Sequence, residues 1–88
     1  MRMDILRDVK GGFKKVSVLT KVDALNALLL MAESGNIAPD MIRAEFEKVR
    51  NIELEREKGS FFGGRGFAEE DTLEYIAKLE EQIEDKLR

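Results

Sequence analysis

The sequence contains no histidine and no cysteine, so any chemistry near neutral pH would fall to carboxylates, lysines, serines or the single tyrosine, Tyr75. The usual general base and the usual thiol nucleophile are both missing, and enzymatic activity is not expected. Glu70 with Glu74, and Glu80 with Glu84, stand one helical turn apart and could share a divalent cation. Helical sites of the di-iron type also draw on histidine, however, and a solvated helix surface accounts for the same spacing. No metal and no cofactor are therefore expected. Residues 59–66, Gly-Ser-Phe-Phe-Gly-Gly-Arg-Gly, have the glycines of a phosphate-cradling loop. Arg65 and Gly66 stand where Lys and Ser/Thr would reach phosphate and magnesium, and no apolar strand precedes them, which excludes that motif. Gly63-Gly64-Arg65-Gly66 has the composition of RNA-binding arginine-glycine segments, but one arginine in an acidic body is a poor electrostatic footprint.

What remains for this loop is recognition. Phe61 and Phe62 would enter a partner groove or the acyl boundary of an anionic membrane, with Arg65 reaching phosphate headgroups and Phe67 completing the contact loop. The alternative is that the rings fold back to cap a small core.

The elements that must carry this loop are helical. From Val18 the apolar positions Val22, Leu25, Leu29 and Ala32 follow in alternating steps of four and three, predicting a helix over 18–34 that Gly35 caps in the left-handed conformation. Ser17 and Thr20 compete as its N-cap, and Thr20 with Asp23 imitates a capping box. Ala24, Ala27, Leu28, Leu30 and Met31 make the helix apolar nearly all round in its second half, so Leu30 and Met31 are candidates for self-association. Pro39 opens a second helix expected over 39–58, with Ile37 and Ile42 as a hydrophobic staple and Ile42, Phe46, Val49 and Ile52 as its core stripe. The two should form an antiparallel hairpin. After the 59–67 loop, Leu73, Ile76, Leu79, Ile83 and Leu87 line a helix over 69–88. Its seam of Ile76, Leu79 and Ile83 has coiled-coil steps and is a second candidate for self-association. Residues 1–17 form a basic N-terminal segment in which Met1, Ile5, Leu6 and Val9 suggest a short amphipathic helical turn ended by Gly11 and Gly12.

Composition sets the frame for these elements. An 88-residue chain holds one domain with a thin core, and without cysteines it lacks disulfide and thiolate staples, so oligomerisation is expected, as a homodimer or larger. Residues 1–22 carry six cations against two acids, +4, which leaves −7 for the remainder of a chain whose net charge is −3. This polarity would suit head-to-tail pairing or an anionic surface, but ordinary solvated surface is the better explanation of a charge density that is not extreme. The longest apolar run, Ala27 to Ala32, is far short of the ~18 residues that span a bilayer, and the N-terminus has no signal-type apolar stretch. A cytoplasmic protein, at most peripheral to the inner membrane face, is expected.

The stretch Arg65-Gly66-Phe67-Ala68-Glu69-Glu70-Asp71-Thr72-Leu73-Glu74-Tyr75-Ile76 resembles the N-terminal domain of the DivIVA family of bacterial cell-division and polar scaffolds. That family's signature reads roughly Arg-Gly-Tyr, acidic residues, then Val-Asp-x-Phe-Leu entering a coiled coil. The aromatic, the acids and the Tyr75-Ile76 pair keep the register; Thr72-Leu73 replaces Val-Asp, Ala68 replaces the capping acid, and Gly64 stands where the family places a membrane-inserting phenylalanine. The match covers residues 62–84. Gly12-Phe13-Lys14-Lys15, followed after a spacer by Val22-Asp23-Ala24-Leu25, echoes the element as if interrupted before its helix, and is not read as a repeat. The resemblance implies a non-catalytic, self-associating scaffold or adaptor in cell division or envelope organisation. The alternative is a soluble protein-protein interaction module with no membrane role.

Overall fold

The computed structural model describes residues 6–58 and 64–88. In chain order the elements are β1 (Asp8–Lys10), α1 (Lys15–Ser34), α2 (Pro39–Arg50), β2 (Arg65–Phe67) and α3 (Glu69–Leu87). The class is mostly helical, as expected, with a small antiparallel two-stranded sheet in which Asp8 pairs with Phe67, Val9 with Gly66 and Lys10 with Arg65. β1 occupies residues that the apolar spacing assigns to a helical turn. With Leu6 anchored in the core, backbone pairing to β2 wins over a helix too short to be stable alone.

α1 is the central element, and α2 and α3 each pack chiefly on it. Val18, Val22, Leu25 and Leu28 of α1 meet Ile42, Phe46 and Val49 of α2 and Tyr75, Ile76, Leu79 and Ile83 of α3 in one core. Each large aliphatic side chain buried this way contributes roughly 1.5–3 kcal/mol. The result is a thin rod, 49 × 21 × 15 Å, whose radius of gyration of 14.4 Å exceeds the ~12 Å expected of a compact chain this long. A rod so thin leaves one side of its central helix uncovered.

The helix ends follow local chemistry with two exceptions. Gly35 takes the left-handed conformation (φ 70°) and closes α1, and Pro39 sits in the first turn of α2 behind Ile37, with Ile42 buried. α1, however, begins at Lys15, not Val18, and neither Ser17 nor Thr20 caps it. Lys14 holds the N-cap position in an extended conformation, while the Ser17 hydroxyl accepts from the Glu55 amide at 3.0 Å and the Thr20 hydroxyl donates to the Val16 carbonyl. α2 stops at Arg50, eight residues before Lys58. There the ammonium of Lys21, itself buried, donates to the carbonyls of Arg50 (3.0 Å) and Ile52 (2.9 Å), placing a positive charge on the terminal carbonyls of the helix. Beyond it, residues 55–57 are drawn out as an extended segment beside Phe13. Tertiary pairing overrides the strong helix propensity of this charged stretch.

Candidate interaction surface

The two helices that follow a Gly-Phe pair begin at the same place. Gly12-Phe13 leads into α1 and Gly66-Phe67 into α3, and the two phenylalanines exchange both backbone hydrogen bonds, each amide donating to the other carbonyl at 2.9 Å. Reciprocal bonds of this kind define a local two-fold axis. The glycines are there because the strands touch: a Cβ on Gly12 would overlap the Phe67 carbonyl, and one on Gly66 would overlap that of Phe13.

The relation extends outward from this pair. The Lys14 amide donates to the Glu55 carbonyl at 2.7 Å, and the equivalent Ala68 amide donates to the Arg7 carbonyl at 2.8 Å. Lys14 and Ala68 share one N-cap geometry, φ −56° and ψ 128° against φ −57° and ψ 136°. Three residues on, the Ser17 hydroxyl accepts from the Glu55 amide and the Asp71 carboxylate from the Arg7 amide at 2.9 Å. Matching Gly12 to Gly66, the buried positions coincide as Val18 with Thr72, Lys21 with Tyr75, Val22 with Ile76 and Leu25 with Leu79. The first Gly-aromatic element is therefore a repeat, and an uninterrupted one. Val18, not Val22, is the counterpart of Thr72, so the echo is displaced by a turn from its expected position.

No family model, curated protein or solved structure matches the chain.

The two units differ in their outer faces. Val16, Thr20, Asp23, Ala27, Leu30 and Ser34 follow in alternating steps of four and three along the uncovered side of α1, flanked by Leu19 and Met31, and all are exposed. Val16 is 76% and Leu30 69% accessible. At the equivalent places α3 carries Glu70 for Val16, Glu74 for Thr20, Glu81 for Ala27, Glu84 for Leu30 and Asp85 for Met31, while Leu73 answers Leu19 and Ala77 answers Asp23. Grooves border this face at both ends, the one beside Val16 lined also by Lys14, Glu53 and Glu55. Val16 and Thr20 border one with Ile52, and Met31 borders the other with Ile37 and Met41. Periodicity identified Leu30 and Met31, with Ala27 beside them; Leu19 was readable from the same spacing, and Val16 joins them once α1 starts at Lys15.

The remaining candidates fall out differently. Ile76, Leu79 and Ile83 are 5% accessible or less, packed into the core of their own chain, so the α3 seam is not a surface open to a second copy. Phe61 and Phe62 lie outside the described residues. Arg65 is held at the ribbon, its guanidinium donating to the Asp8 carbonyl at 2.8 Å and lying 3.7 Å from the Asp8 carboxylate. Phe67 is half-buried beneath the Lys15 ammonium, 5.5 Å from the ring centre, just as Arg56 lies 4.6 Å over Phe13 in the other unit.

The carboxylates stand in ion pairs. Glu80 and Glu84 each lie 3.8 Å from Arg50, Glu74 is 3.2 Å from Lys78, and Asp71 makes 2.9 and 3.3 Å bonds to the Arg7 guanidinium. Hydrogen bonding from Arg7 holds the Asp71 carboxyl below its usual range, and the same bonds raise the Arg7 guanidinium. Among the described residues no group of three acidic side chains is placed to hold a metal ion, and no helix is long and apolar enough to cross a membrane.

Proposed function

We propose that this protein is a non-catalytic, self-associating scaffold or adaptor, DivIVA-like, that serves bacterial cell division or envelope organisation from the cytoplasm or the inner membrane face. The observation that carries this reading is the outer face of α1, Val16 to Ser34, which is uncharged apart from Asp23, on a scaffold whose second unit has acids at most of the equivalent places. Exposed Val16, Leu19, Leu30 and Met31 along one side of a helix are a feature that association would use. The Arg65–Ile76 resemblance supplies the biological setting.

The second reading is a soluble interaction module with no membrane role, favoured by the engagement of Arg65 with Asp8, which occupies the guanidinium that would otherwise meet a phosphate headgroup. Co-sedimentation with anionic vesicles separates the two. The membrane form requires wild-type protein to pellet and a Phe61→Ser, Phe62→Ser double variant to remain in solution; failure of the wild type to pellet leaves the soluble module. Light scattering over a dilution series tests self-association in either case.

A further inference from the structure

We draw no further inference here: the strongest candidate, the outer face of α1 from Val16 to Ser34 with the grooves that border it beside Ile52 and Met41, is an unpartnered helix face, and nothing in the structure shows what covers it.

Discussion

The two Gly-aromatic units of this chain share a backbone and diverge in surface. In both, a Gly-Phe strand crosses its twin, an extended residue caps the helix, and a side chain three positions on accepts a flanking amide: Ser17 from Glu55, Asp71 from Arg7. Outward, α3 shows Glu70, Glu74, Glu81 and Glu84, and α1 shows Val16, Thr20, Ala27 and Leu30. A shared scaffold makes each unit the control for the other. What differs between them is the outer surface: Glu70, Glu74 and Glu84 of α3 stand beside Arg7, Lys78 and Arg50, whereas Val16 and Leu30 of α1 are exposed, and the proposed association rests on that difference.

The comparison breaks most severely at the crossing. Gly66→Ala or Gly12→Ala forces a methyl into the facing carbonyl, and each is expected to cost about 3 kcal/mol or more, read as a lowered urea midpoint. Alanine at Gly64, whose Cβ would meet only the side chain of Glu57, is the mild counterpart. The buried position held by Lys21 in one unit and Tyr75 in the other comes next. Lys21→Met leaves the Arg50 and Ile52 carbonyls without their ammonium, an expected loss of about 1–3 kcal/mol. Faster amide exchange over the last turn of α2 would locate that loss.

A smaller effect has the opposite sign. Thr72 is fully buried with its hydroxyl unpaired, where the first unit has Val18; Thr72→Val is expected to stabilise by about 1 kcal/mol in the same urea experiment. Unchanged stability would mean that the second unit tolerates the hydroxyl in a way the first gives no reason to expect.

The Arg7–Asp71 clamp distinguishes the units by pH, because its counterpart uses an uncharged serine. The Asp71 carboxyl titrates below its unfolded value of 3.8, so its contribution is complete above that value and is lost as pH falls through the lowered folded value. Asp71→Asn is therefore expected to lower the thermal midpoint at pH 6 and to converge with wild type as the pH falls through the lowered folded value, a small shift at an exposed pair.

Much of the helical architecture was legible because it depends on neighbours in sequence. Gly35, Pro39 and the stripes from Val22 to Ala32 and Ile76 to Leu87 fix helix ends and faces by local rules, although Leu73, expected to line the α3 stripe, is exposed. The illegible parts depend on partners far along the chain. Glu53 to Lys58 have the composition of helix, and only their pairing with Gly12–Lys14 draws them out of it. β1 and β2 are three residues each, too short to show alternation. The repeat hides behind substitutions that keep shape and lose identity, Val18 for Thr72 and Val22 for Ile76, and behind Lys21, whose burial makes sense only once the end of α2 arrives beside it. As for the site, Leu30 and Met31 stood out by sequence, whereas the α3 seam looked equally suited until its packing on α1 was seen.

The most direct test of the central claim is the solution mass of wild type and of Leu30→Glu by light scattering over one dilution series. A wild-type mass about twice 10.0 kDa that falls to the single-chain value in the variant, with unchanged helical circular dichroism, is the predicted result. Equal masses for the two proteins at every concentration would contradict it, and the outer face of α1 would then have no part in self-association.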